Sequence, residues 1–167
     1  MAIVTDAHAR PGLRSYSASL DIDSAVEDAF ALLCAVEKWP VWLPFIRSAE
    51  LAEPASPLGA GSEVIVRSSL PGHDRQLYEV DQFITNYHLS LVGAFSVRRR
   101  LDFRIERKTS RAKLHIRFSY PAYGGRVGIL VDTWKRGRRM ERLLDEALLH
   151  FKGLVEYRTG DPVLADL

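Results

Sequence analysis

Four segments, RQLYEVDQFI (75–84), YHLSLV (87–92), SVRRRLDFRIE (96–106) and RAKLHIRFSY (111–120), decide the fold. Apolar and polar residues alternate through much of them, which is the period of a strand with one buried face. Tyr78 and Val80, Leu89 and Leu91, Leu101, Phe103 and Ile105, and Leu114, Ile116, Phe118 and Tyr120 carry the apolar phases. The gaps at Thr85-Asn86, Gly93-Ala94 and Lys108-Thr109-Ser110 are of hairpin length, so neighbouring strands run antiparallel.

Working outward, Leu70 to Asp74 is a turn, and Val64, Val66 and Ser68 alternate with Ile65, Arg67 and Ser69 as a further strand. Ile46 to Ala52 reads as a weaker strand, and the Pro/Gly-rich stretch from Glu53 to Gly61 as a loop. Near the start, Tyr16, Ala18, Leu20 and Ile22 alternate with Ser15, Ser17, Ser19 and Asp21. Ser24 and Glu27 then have the spacing of a capping box. A helix follows on Val26, Ala29, Phe30, Leu33 and Val36, and Pro40 and Pro44 confine Glu37 to Phe45 to a second short helix or a turn. Downstream, Pro121 to Gly128 carries three glycines and reads as a flexible loop, a candidate gate beside Trp134. Asp132 is placed to cap a long last helix. There Met140, Leu143, Leu144, Ala147, Leu148, Phe151, Leu154 and Val155 form one apolar stripe. Glu141, Arg142, Asp145, Glu146, Lys152 and Glu156 occupy the other side.

This order gives an α+β class: a curved antiparallel sheet of about seven strands, two short helices after the first strand, and a long C-terminal helix. That helix is the only element large enough to cover the sheet. Residues 1–13 read as a flexible leader, 14–158 as one domain and 159–167 as a tail.

Composition narrows the function classes. A chain of 167 residues is one ordinary domain with enough length to bury a core. Its single cysteine, Cys34, can form neither an internal disulfide nor a cysteine-built zinc site. No apolar run is long enough to span a membrane, and the start of the chain lacks a secretory pattern; the expected location is cytoplasmic. The five histidines show no metal-ligand spacing, and no nucleophile elbow, phosphate loop or dinucleotide fingerprint occurs. No metal and no cofactor are therefore expected.

The net charge of +2 hides an asymmetry: 15 basic and 4 acidic residues lie between Ala94 and Arg142, against 8 and 17 in the rest. Arg98, Arg100 and Arg104 share an outward strand phase, and Lys135, Arg136, Arg138, Arg139 and Arg142 crowd the start of the last helix. Cations there oppose the helix dipole, which raises an anionic partner at Arg98, Arg100, Arg138 and Arg139 against an ordinary solvated face. No DNA-reading motif accompanies them.

Three local stretches carry a resemblance to a known family: Leu20 to Phe30, Val36-Glu37-Lys38-Trp39-Pro40-Val41-Trp42-Leu43-Pro44, and Leu148 to Glu156. With the element order, they resemble the START-like (SRPBCC) superfamily, which contains the polyketide cyclase/dehydrase and Bet v 1-like proteins. The resemblance spans about Arg14 to Tyr157. It implies a helix-grip fold with a deep cavity between sheet and last helix, used for lipids, quinones, polyketides or hormones. These patterns specify fold well and activity poorly.

On that resemblance the ligand-lining candidates are Trp39, Trp42, Val66, Tyr78, Gln82, Leu91, Arg99, Phe103, Phe118, Tyr120, Met140 and Leu144. The same residues equally suit a solid core. Arg99 is in phase with Leu101 and Phe103, so it either points inward, where a guanidinium needs an anionic partner, or sits at a solvated rim. Gln82 shares the phase of Tyr78 and Val80 and is expected to point inward. Trp39 and Trp42 either line the pocket base or pack structurally. Three functions follow: binding of a small hydrophobic molecule; a polyketide cyclase, aromatase or dehydratase using Arg99 and inner tyrosines; or a regulatory module working through the basic face. No catalytic acid or base is identified, and a homodimer is compatible with the sequence.

Overall fold

The computed structural model describes residues 13–70, 74–109, 111–121 and 128–160. The leader and tail fall almost wholly outside these residues, as does the glycine-rich loop.

The chain forms β1 (Leu13–Ile22), α1 (Val26–Cys34), a 3-10 turn (Val36–Lys38), α2 (Trp39–Trp42), β2 (Ile46–Leu51), β3 (Glu63–Ser68), β4 (Arg75–Ile84), β5 (His88–Gly93), β6 (Ser96–Lys108), β7 (Arg111–Pro121) and α3 (Gly128–Gly160). All seven strands join one antiparallel sheet in the order β1-β7-β6-β5-β4-β3-β2. Strands β2 to β7 form an unbroken meander, and β1 closes on β7 from Leu13↔Pro121 to Ile22↔Ala112. This is the helix-grip arrangement: a curled sheet holding a long helix.

Alternation accounts for the core. Val64 and Val66, Tyr78 and Val80, Leu89 and Leu91, Leu101, Phe103 and Ile105, and Leu114, Ile116 and Phe118 are all buried on one face. Met140, Leu144, Ala147, Leu148, Phe151 and Val155 of α3 are buried too. Their i, i+4 and i, i+7 spacing holds one stripe along the helix. Helix α3 lies along β1. Lys152 Nζ donates to the Asp21 carbonyl at 3.1 Å, and the Asp23 N–H donates to Glu156 Oε1 at 2.7 Å.

Four expectations are corrected. Helix α1 starts after Ala25, with no side-chain cap. The Ser24 hydroxyl donates instead to the Ala25 carbonyl, and Glu27 pairs with Arg107 of β6, so the capping box does not form. Helix α3 begins at Gly128, which places Asp132 inside it. For the same reason the basic cluster from Lys135 onward lies beyond the first turn, where the dipole has little effect.

The fourth concerns β4. The ladder with β5 shifts between Val80 and Gln82. One extra residue in a strand reverses which face the following residues take. Gln82 is therefore exposed on the outer face, and Phe83 turns inward against Phe30 of α1, with ring centroids 5.6 Å apart. Ile84, an apparent core position by strict alternation, is exposed. Among the described residues, no helix is long and apolar enough to cross a membrane.

Candidate functional site

The inner face of β3 to β7, α2 and the part of α3 from Met140 onward enclose a common interior. Eleven of the twelve lining candidates lie here, all but Gln82. At its base, Trp39 and Trp42 both pack on Phe103, with ring centroids 5.7 and 5.9 Å away. Trp42 also meets Phe151 of α3 edge-on at 4.8 Å. The two indoles differ in one respect. Trp39 Nε1 donates to the Leu33 carbonyl at 2.9 Å, which ties α2 to the end of α1. Trp42 Nε1 is buried and has no hydrogen-bond partner among the described residues. Trp39 is thus a structural anchor, whereas Trp42 holds a spare donor.

An aromatic row, Phe45, Phe118, Tyr120 and Tyr16, crosses from the end of α2 over β7 to β1 with centroid separations of 5.8, 5.4 and 6.1 Å. Ser68 supports it: its hydroxyl donates to the Phe45 carbonyl at 2.8 Å and accepts from the Leu70 N–H at 3.1 Å.

Arg99 resolves to the inner face. The β5–β6 ladder jumps from Val92↔Arg100 to Gly93↔Ser96, so Arg99 falls in the irregular part of β6. Its neighbour Arg100 faces outward to Asp81 at 2.9 Å and to Ser90 Oγ at 3.2 Å. Arg99, of opposite phase, is only 7% exposed, and its Nε has no hydrogen-bond partner among the described residues. Tyr78, opposite Gly93 on β4, is also buried. Burial pushes its hydroxyl well above the ordinary phenol range, and the nearby Arg99 charge pulls the other way. Tyr78 stays protonated at neutral pH and can donate. A cation, a phenol and an indole N–H therefore share an otherwise apolar interior.

The outer face is differently built. His88 and Asp102 are buried there, with Nε2 and Oδ2 3.0 Å apart, and Arg104 Nε stands 3.4 Å from the other carboxylate oxygen. This pair gave no sequence signal beyond His88 lying two positions from Ser90 on an outward phase. Arg111 meets Asp23 at 3.4 Å. Arg100, Arg104, Arg107 and Arg111 of the two late strands are thus paired within the chain. An open groove of about 330 Å³ on this face is lined by Ser17, Ser19, Arg104, Glu106, Lys113 and His115, among others, in mixed charge. Arg139 is exposed on α3, as is Arg138, and the side chain of Arg98 is outside the described residues.

Two further residues complete the inventory. Burial pushes the Cys34 thiol up to about 11, so it is a poor nucleophile at neutral pH. Asp145, read as a polar-side residue, has a buried Oδ1 with no partner. Helical geometry puts it on the same side of α3 as Lys152 and Glu156, which bond to Asp21 and Asp23 at the end of β1. Among the described residues, no cluster of His, Cys, Asp or Glu could hold a metal ion.

No protein-family profile matches the chain, and no curated protein sequence does. Solved structures do. KanY protein superposes with a TM-score of 0.68 at 17% identity, covering 87% of this chain and 99% of that one. The Zhui aromatase/cyclase from Streptomyces sp. R1128 superposes at 0.65 with 15% identity, covering 88% and 96%. Ara h 8.0201 superposes at 0.55 with 14% identity, covering 87% and 99%. At these identities the likeness establishes the fold and not the activity.

Proposed function

We propose that a START-like, helix-grip fold serves this chain as a receptacle: it binds one small, largely apolar organic molecule between the concave face of the sheet and α3. The observation that carries this is the pair of buried donors, Arg99 Nε and Trp42 Nε1, that no acceptor among the described residues satisfies. An unsatisfied buried donor costs about 1–3 kcal/mol, and native interiors contain few. A bound molecule that brings an acceptor to Arg99 removes the charged, larger part of that cost. Trp42, Phe103, Phe118, Met140 and Leu144 supply the apolar surroundings, in keeping with the usual make-up of a small-molecule site.

Native mass spectrometry of gently purified protein, followed by denaturing extraction, tests it. The expected result is a stoichiometric adduct that extraction releases as an apolar small molecule. A bare chain that also fails to take up medium-chain alcohols or acids would refute it.

Arg99 beside Tyr78 also favours a second reading, in which the bound molecule is a poly-β-ketone and the site closes it to a ring. The cation and phenol would polarise a carbonyl toward carbon–carbon bond formation. Turnover of such a substrate that survives both Arg99→Ala and Tyr78→Phe would remove this reading.

A further inference from the structure

We infer that the interior selects an elongated apolar carboxylate, its acid group held by Arg99 and Tyr78 and its body running along β6 toward Trp42. This rests on the ligand-binding reading above and names the class of molecule that fits it.

Charge comes first. A guanidinium is always ionised, and burying it without a counter-charge is strongly unfavourable. The carboxylates nearest in sequence are committed elsewhere. Asp81 pairs with Arg100, and Asp102 with His88 and Arg104, all on the opposite face of the sheet. Among the described residues, no carboxylate is paired with Arg99. A neutral ketone or quinone could accept from Tyr78, but it would leave the Arg99 charge uncompensated. A carboxylate supplies both the charge and two planar acceptors that suit a guanidinium fork. Arg99 and His88 are the only buried basic side chains described, and His88 is on the outer face. One cation therefore calls for a singly charged acid rather than a dianionic phosphate.

Register then gives the shape. Arg99 and Phe103 share one face of one strand, four residues apart, which places them on the order of 13 Å from each other. Leu101 lies between them, flanked by Leu91 on β5 and Phe118 on β7. Phe103 touches Trp42 at the far end. The track from the cation to the indole is thus apolar throughout. A straight-chain molecule with one acid end matches it, and a compact polar one does not.

The test compares decanoate with decan-1-ol at pH 8 by competition against a fluorescent apolar probe. The pair shares its alkyl body and differs in the acid. Decanoate is expected to bind at least about tenfold tighter, the worth of a hydrogen-bonded charge in a dry site. In Arg99→Met that preference should fall to within about twofold. In Tyr78→Phe the preference should shrink and remain. Equal binding of acid and alcohol by the unaltered protein overturns the inference and leaves the ligand-binding reading standing; this comparison needs no variant to fold. An acid preference that survives Arg99→Met in a protein with unaltered circular dichroism also overturns it. Binding of neither molecule overturns both readings together.

Discussion

Replacing Arg99 by Met should make the ligand-free protein more stable. Arg99 is 7% exposed, its Nε has no partner among the described residues, and Asp81 and Asp102 are paired on the other face of the sheet. Its charge is thus held in the interior with little return from the protein itself. Methionine has a comparable unbranched stem and adapts to irregular space, so it keeps most of the packing. Removing an unsatisfied buried donor is worth about 1–3 kcal/mol, and exchanging buried ionic groups for apolar ones has a gain of similar size, about 1–4 kcal/mol. We expect about 1–3 kcal/mol. With a urea slope of about 2 kcal/mol per molar, the midpoint should rise by roughly 0.5–1.5 M. In a thermal scan a domain of this size should gain about 3–10 °C. The assay is equilibrium urea unfolding of protein stripped of bound molecules, followed by tryptophan fluorescence and circular dichroism together. With saturating decanoate the order should narrow or reverse, because only the unaltered protein gains the acid's binding energy. A loss of more than about 1 kcal/mol in the stripped variant would refute the reasoning. It would mean that the guanidinium holds the β5–β6 end together and is not kept for a ligand.

Three other outcomes are expected. Phe103→Ala should cost about 3–5 kcal/mol by urea unfolding, because it removes the ring on which both Trp39 and Trp42 pack. The bulge in β4 predicts opposite sensitivities at adjacent positions: Phe83→Ala should cost about 2–4 kcal/mol and Gln82→Ala less than about 0.5 kcal/mol in the same measurement. Burial raises Cys34 from 9.0 to about 11, so its native thiolate population at pH 8 is about 100-fold below that of the unfolded chain, and aromatic disulfide reagents should label native protein slower by a similar factor. As pH rises from 9.0 toward 11 the unfolded thiol ionises first, so this group lowers stability across that window.

Much of this was legible in the sequence because alternation is a local signal. The apolar phases of β3, β5, β6 and β7, and the stripe on α3, each follow from spacing alone, and burying them requires one sheet and one covering helix. Gln82 shows where that logic stops. A bulge is set by how two strands meet, not by either strand's own pattern, so the face of every residue after Val80 was inverted. Ser24 and Glu27 failed for a similar reason: Glu27 is drawn to Arg107, distant in sequence, and gives up the local cap. The buried His88–Asp102 pair was equally hidden, since two polar residues on outward phases look solvated until Tyr87 and Arg104 are seen beside them. Arg99 was recognisable as the odd cation in an apolar phase; that no carboxylate among the described residues pairs with it became evident only once Asp81 and Asp102 were placed.

The most direct test of an occupied interior is the indole N–H region of the proton–nitrogen NMR spectrum during a decanoate titration. Trp42 Nε1 has no acceptor among the described residues and its ring packs on Phe103 and Phe151, whereas Trp39 Nε1 is held by the Leu33 carbonyl. With the Trp42 signal assigned by its loss in Trp42→Phe, that resonance should move on binding while the Trp39 resonance stays in place. Saturable binding of decanoate that leaves the Trp42 resonance where it was would put the ligand somewhere else on the molecule and contradict the account.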